Sequence, residues 1–99
     1  MGRPYTSGAW TAKAGREDEF VTRWRALAQW ASEEFPDAGR PILLRDMNDT
    51  RRFTSLGSWR DVDQIAAFRA HPEFSRHVAR LSEVLDGFVP STLEAVVEP

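Results

Sequence analysis

Hydrophobic residues recur along the chain with two spacings, which predict its strands and its helices. Alternation of period two, which is typical of strands, occurs in four stretches: Tyr5–Lys13, Ile42–Asn48, Arg52–Trp59 and Phe88–Val97. Steps of three and four residues predict a long amphipathic helix that begins with acidic residues at Glu17 and ends before Pro36. The apolar stripe of this helix consists of Phe20, Trp24, Leu27, Ala28, Ala31 and Phe35. Trp30 lies off the stripe, which predicts a flank position or a place in an interface.

A second helical region follows the third predicted strand, and a proline divides it. Asp61 followed by Gln64 predicts an N-cap with a capping box, and the face of this helix is predicted to contain Val62, Ile65 and Ala66. His71 precedes Pro72 and therefore avoids helical dihedral angles, which ends the first part of the region. The second part begins at Pro72 and is predicted to stop at Gly87, with a stripe of Phe74, Val78, Leu81 and Leu85.

The order of these elements predicts an α+β fold. A β-α-β-β-α-β order, with its second helix broken at Pro72, is that of a ferredoxin-like plait, in which helices cover one face of a four-stranded antiparallel sheet. The second and third strands should form a hairpin, since turn residues join them. Gly8 inside the first strand predicts a bulge or a close neighbour. We expect one domain over residues 1–99.

The second predicted strand is apolar on both of its faces. Ile42 and Leu44 point to one side, while Leu43 and Met47 point to the other. An uncovered apolar sheet face of several hundred Å² is unusual on a monomer. The sequence therefore predicts a homodimer whose two sheets pack face to face.

Composition limits the classes of function. A formal net charge of −2, with acidic and basic residues interspersed, predicts no nucleic-acid partner. The absence of cysteine excludes disulfides, thiolate metal sites and a cysteine nucleophile, and is compatible with the cytoplasm, where we expect the protein. The sequence contains no long apolar run, so we expect neither a membrane span nor a signal peptide. Frequent arginine and alanine with few lysines suggest a bacterial source of high GC content.

Five short motifs, taken in order, resemble a known family. They are the Gly15–Phe20 stretch after the first strand, LLRD at Leu43–Asp46, RRF at Arg51–Phe53, Trp59 at the end of the third strand, and HPEF at His71–Phe74. Together they resemble the antibiotic biosynthesis monooxygenase (ABM) family. The resemblance implies a dimeric α+β barrel. The family includes cofactor-free oxygenases, haem-degrading enzymes, quinol monooxygenases and members without an assigned reaction.

The resemblance implies no haem-degrading activity, and we expect no cofactor. The positions that match the characteristic Asn, Trp and His of the haem-degrading branch are occupied here by Gly8, Phe68 and Val78. No phosphate-binding loop or dinucleotide fingerprint is present. The spacing of His71 and His77 across a helix start does not converge on a metal ion, so we expect no metal site.

The resemblance favours a cofactor-independent monooxygenase of an aromatic, quinol or polyketide-type molecule. An electron-rich ring, once deprotonated, can itself reduce oxygen if the protein excludes water, holds the ring and stabilises the developing negative charge. The candidate catalytic residues are His77, Arg45 and Asn48. The candidate substrate-binding residues are Trp24, Phe53, Trp59, Phe68, His71 and Arg76.

Each candidate also has a structural interpretation. Aromatic residues at helix or strand spacing usually fill a core, and His71 is well placed as a helix-cap neighbour. Arg69, Arg76 and Arg80 lie among acidic residues, as on a solvated helix face. A non-catalytic binding or cyclase-like dimeric domain, and a structural module with a filled pocket, therefore remain alternatives. An open cavity with a histidine or arginine beside aromatic walls would favour the enzyme or the binding domain.

Overall fold

The chain folds in the predicted order of strands and helices. A computed structural model describes residues 2–99, so the first residue of the predicted domain lies outside the described residues. The elements in chain order are β1 (Pro4–Ala12), α1 (Glu17–Glu34), β2 (Ile42–Arg45), β3 (Arg52–Ser58), α2 (Val62–Ala70), α3 (Pro72–Ser82) and β4 (Leu85–Glu94). Pro72 is the first residue of α3, which confirms the break in the second helical region.

The four strands form one antiparallel sheet in the order β2-β3-β1-β4. The predicted hairpin of β2 and β3 is confirmed. Trp10 in the central strand lies opposite Phe53 on one side and Phe88 on the other, so the three side chains share a face. The rings of Trp10 and Phe88 stack with centroids 3.9 Å apart. This aromatic row is the sheet side of the core.

Helix α1 packs on this face through the predicted stripe. Phe20 and Leu27 are buried, and the Phe20 ring lies 4.9 Å from Phe53 and 5.6 Å from Trp10. Leu81 of α3 is also fully buried, and Val84 follows it. Helices α1 and α3 therefore contribute buried residues to the core on the side of the aromatic row, as the ferredoxin-like plait requires.

Helix α2 begins as predicted but buries a partly different face. The Asp61 carboxylate accepts a hydrogen bond from the Gln64 backbone N–H at 2.8 Å, which confirms the N-cap. The Gln64 side chain accepts from the Arg60 N–H, one residue before the cap, at 2.9 Å. Of the predicted face, Ile65 is buried, but Val62 is 64% exposed and Ala66 is exposed, because the helix buries Gln64 and Phe68 beside Ile65. Phe68 lies one turn beyond Gln64, and Val62 is about 110° from the centre of this face.

Three predicted boundaries were wrong. Helix α3 ends at Ser82, and Leu85 and Gly87 belong to β4, where they pair with β1. Strand β2 ends at Arg45 instead of Asn48. The Asp46 carboxylate accepts hydrogen bonds from the backbone N–H groups of Asn48 and Asp49, which forms a turn. Strand β4 ends at Glu94 instead of Val97.

The opposite face of the sheet is open to solvent and rich in apolar residues. The side chains that point to this side are between 47% and 63% exposed at Ile42, Leu44, Val89 and Leu93. Their register confirms that Ile42 and Leu44 face away from Leu43. Within residues 2–99, the helices lack the length and apolar character that crossing a bilayer demands.

Candidate functional site

A pocket lies between the helices and the helix-covered face of the sheet. Its floor consists of small residues at adjacent positions of the two central strands, where Gly8 pairs with Ser55 and Thr6 pairs with Gly57. Because none of these residues carries a bulky side chain, space remains above the two central strands. The cavity has a volume of about 90 Å³ and opens to solvent at its mouth.

Aromatic side chains form most of the walls of this pocket. They are contributed by the strands, by α1, by the residue after β3 and by the α2–α3 corner: Trp10, Trp24, Trp59, Phe68, Phe74 and Phe88. The Phe68 ring lies 4.7 Å from Trp59 and 4.5 Å from Phe74. Leu27 and Ala31 of α1 add aliphatic surface. The pocket is thus shaped for a flat apolar molecule.

Two hydroxyl groups at the floor are oriented by indole rings. Trp10 Nε1–H donates to Ser55 Oγ at 2.9 Å, and Trp59 Nε1–H donates to Thr6 Oγ1 at 2.9 Å. Within residues 2–99, neither hydroxyl has an acceptor of its own in the side-chain hydrogen bonds of the structure. Each hydroxyl therefore keeps its proton available for an oxygen atom of a ligand.

Gly8 allows the first of these indoles to lie over the sheet. A Cβ atom at Gly8 would come within 2.6 Å of Trp10 Nε1 and within 2.9 Å of Ser55 Oγ. The predicted close neighbour is therefore the Trp10 indole, and the irregularity of β1 occurs later, between Thr11 and Ala12.

Arg69 carries the one charge among the lining residues in the described part of the chain. Its Nη1 donates to Thr92 Oγ1 at 2.7 Å, and its Nη2 donates to the Ser91 carbonyl at 3.4 Å. The side chain is exposed, as expected for a solvated helix face, but it is held against β4 beside the pocket. An otherwise apolar cavity therefore has a cation at its wall.

Comparisons with known proteins agree with this architecture. The profile of the family described as antibiotic biosynthesis monooxygenase matches residues 6–80. The chain belongs to this family. A crystal structure of SnoaB, a cofactor-independent oxygenase from Streptomyces nogalater, has a TM-score of 0.89 at 19% identity and covers 99% of this chain and 97% of its own. The crystal structure of PA3566 from Pseudomonas aeruginosa has a TM-score of 0.81 at 18% identity and covers 98% of this chain and 97% of its own.

At these identities the two structures show a common fold. They confirm the ferredoxin-like α+β architecture that the ABM resemblance implies. No curated protein matches the chain.

In this ABM-family chain, the structure brings together three of the candidate residues that the sequence suggests. Trp24, Trp59 and Phe68 all line the pocket. Phe53 is only 3% exposed and packs in the core, where it also borders a second depression on the Trp24 side. Arg45 lies at that depression, with its guanidinium carbon 5.0 Å from the centre of the Phe53 ring.

Both histidines lie beside Trp30 of α1, and all three residues are half-buried. The Trp30 ring lies 4.8 Å from His71 and 5.7 Å from His77. Partial burial lowers the pKa of His77 below its usual value, and the charge of Arg80 lowers it further. His71 Nδ1 accepts from the Glu73 N–H at 3.1 Å and caps α3. Neither histidine is among the residues that line the pocket.

The remaining candidates lie on the surface. Asn48 is in the exposed turn after β2, where its N–H donates to the Asp46 carboxylate at 2.7 Å. Arg76 forms a salt bridge with Glu73 on α3. The structure does not bring these residues to the pocket.

Sequence reasoning did not select Ser55, Thr6 or Arg69 as site residues. The signal for the two hydroxyls was the run of small residues on one predicted face of each central strand. That signal becomes specific only when the register sets Gly8 opposite Ser55. No sequence signal distinguished Arg69 from the other helix-surface arginines.

Proposed function

We propose that this chain is a monooxygenase that oxidises an aromatic, quinol or polyketide-type small molecule without a bound cofactor. The observation that carries the proposal is the aromatic-walled pocket with two oriented hydroxyls on its floor. Membership of the ABM family supports it. So does the likeness to SnoaB, which is described as a cofactor-independent oxygenase.

The pocket supplies what such a reaction needs from a protein. The aromatic walls exclude water and hold the ring of an ionised substrate in place. The substrate anion gives an electron to oxygen, and a carbon–oxygen bond forms. For a substrate in which a CH₂ group becomes a carbonyl, one atom of O₂ stays in the product, and the other leaves as water with the two hydrogens.

Ser55 and Thr6 can stabilise the negative charge of this reaction. Their free hydroxyl protons can donate to the enolate or peroxide oxygen, and the indole bonds fix both hydroxyls before the substrate arrives. Donors that are already oriented need no rearrangement when the charge develops.

The proposed enzyme is a homodimer. The open sheet face carries Ile42, Leu44, Val89 and Leu93, and none of the helices within residues 2–99 lies over it. A second copy of the same face would remove these side chains from water, which favours association.

Oxygen uptake by the purified protein tests the proposed reaction. A panel of hydroquinones and anthrones is mixed with the protein without added flavin or metal, and oxygen is measured with an electrode. We expect uptake with at least one compound, and Ser55→Ala should lower kcat by about 100-fold through the loss of one charge-stabilising donor.

His77→Ala is the control, because His77 lies outside the pocket. It should leave kcat unchanged. A protein that binds members of the panel but consumes no oxygen would instead be the non-catalytic binding domain. Loss of uptake in His77→Ala, with Ser55→Ala unimpaired, would move the chemistry to the histidine cluster.

A further inference from the structure

We propose that Arg69 selects ligands that enter the pocket already ionised, as aromatic oxyanions such as an aryl carboxylate or a phenolate. The inference rests on the proposed function, because it states the charge of the ligand that the same pocket takes. The ring lies between the aromatic walls, and the negative oxygen lies at the Arg69 wall.

The first argument is the unneutralised charge of Arg69. Several arginines of the chain are paired with carboxylates, such as Arg23 with Glu83 and Arg51 with Asp86. In the described part of the chain others are not, and Arg69 is the one of these that lines the pocket. Within residues 2–99, Arg69 forms no salt bridge, and it donates hydrogen bonds to a hydroxyl and a carbonyl. Because neither partner is charged, the guanidinium retains its full positive charge for a ligand.

The second argument is the fixed position of the guanidinium. The bonds to Thr92 Oγ1 and the Ser91 carbonyl tie a side chain of α2 to β4, beside Phe88 and Pro90 of the pocket wall. A guanidinium has five N–H donors, so donors remain for a ligand oxygen. A cation that is already held in place loses little entropy when it binds an anion.

The third argument concerns the proton. The lining residues within residues 2–99 include no carboxylate and no imidazole. A neutral phenol would therefore find no side-chain base at the pocket wall, whereas a ligand that arrives as an anion needs none. An anion also needs a cation here, because entry into an apolar pocket removes part of its hydration. Arg69 supplies this cation.

Binding of matched probes tests this inference without any oxidation. The probes are 2-naphthoate and its neutral counterpart 2-naphthamide, and affinities are measured by calorimetry at fixed ionic strength. We expect the wild type to bind the carboxylate about tenfold more tightly than the amide. Arg69→Gln should abolish that preference while retaining the affinity for the amide, and Arg69→Lys should restore part of it.

A second arm distinguishes a phenolate from a carboxylate. A nitrophenol that ionises near neutral pH is titrated with and without protein, and its anion is followed by visible absorbance. Selection of the phenolate should lower the apparent pKa of the bound nitrophenol in the wild type but not in Arg69→Gln. Arg80→Gln is the matched control, since it removes the same charge from an exposed helix position that does not line the pocket.

The wild-type comparison alone can overturn the inference, whatever the variants do to folding. Equal binding of naphthoate and naphthamide, together with an unshifted nitrophenol titration, would refute it. An equal loss in Arg69→Gln and Arg80→Gln would also refute it, because the effect would then be one of net charge. Anion preference without oxygen uptake would refute only the monooxygenase, and oxygen uptake without anion preference would refute only the role of Arg69.

Discussion

At the scale of single residues, two glycines of the pocket floor have opposite tolerance for a methyl group. At Gly8, a Cβ atom would overlap the Trp10 indole, which cannot withdraw easily because it stacks on Phe88. We expect Gly8→Ala to lower the free energy of unfolding by about 1–3 kcal/mol. Chemical denaturation measures the effect.

Gly57 is the matched control for this substitution. Its Cβ atom would meet only Pro41, at 3.4 Å, and its backbone has no positive φ angle. Gly57→Ala should therefore be neutral or stabilise the protein by up to about 1 kcal/mol. Equal destabilisation by both substitutions would show that the Trp10 contact is not the cause.

His77 should make the protein less stable in mild acid. Its folded-state pKa is lowered by partial burial first and by Arg80 second. Below the unfolded pKa of about 6.5, the unfolded chain binds the proton more readily than the folded chain, so stability falls as the pH decreases towards the folded pKa. Above the unfolded pKa, both states are neutral and the residue has no such effect.

Unfolding at pH 7.5 and pH 5 measures this effect. The wild type should lose stability relative to His77→Gln, by less than about 1 kcal/mol because solvent screens a ring of this exposure. Comparison with the variant cancels the contributions of His71 and the carboxylates. Parallel pH curves for the two proteins would contradict the assignment.

At the scale of the elements, His71 has a structural role that follows from its place before Pro72. Its Nδ1 accepts the Glu73 N–H and caps α3. His71→Ala should cost about 1 kcal/mol of stability by leaving that N–H without a side-chain partner, and His71→Asn should recover most of it. Denaturation curves of the three proteins test this, and equal losses in both variants would place the role of His71 in its contacts with Trp30 and Glu34 instead.

Elements with a strong local pattern could be predicted, and those set by partners from distant parts of the chain could not. The α1 stripe from Phe20 to Phe35 is continuous, so the position and buried face of this helix followed from spacing alone. The end of α3 did not, because Leu85 continues the helical spacing but pairs with Ala12 of β1. Helix α2 has only nine residues, too few for Val62 to reveal which face the sheet would cover.

At the scale of the whole molecule, the pocket could also be predicted only in part, because some of its residues depend on partners that are distant in the chain. Trp24, Trp59 and Phe68 could be proposed because large aromatic residues stand out in a sequence. Ser55, Thr6 and Arg69 matter through neighbours that are between 23 and 53 residues away in the chain. Their significance depends on the strand register and on the position of α2 over β4, which local patterns do not contain.

The open sheet face predicts the oligomeric state. In the proposed homodimer, Leu44 is removed from water against the second copy, so Leu44→Asp would bury an unpaired carboxylate. That cost should weaken the dimer by at least about 100-fold. Size-exclusion chromatography with light scattering, at tens of micromolar protein, should show a dimer for the wild type and a monomer for the variant.

Val62→Asp is the control for Leu44→Asp, because it places the same charge at an exposed apolar position on α2, away from the open sheet face. An aspartate in the first turn of a helix is also well tolerated. Val62→Asp should therefore remain a dimer. If both variants dissociate, the effect is one of charge or folding and not of the sheet face. A wild type that is monomeric at this concentration would leave Ile42, Leu44, Val89 and Leu93 in water and contradict the proposed assembly.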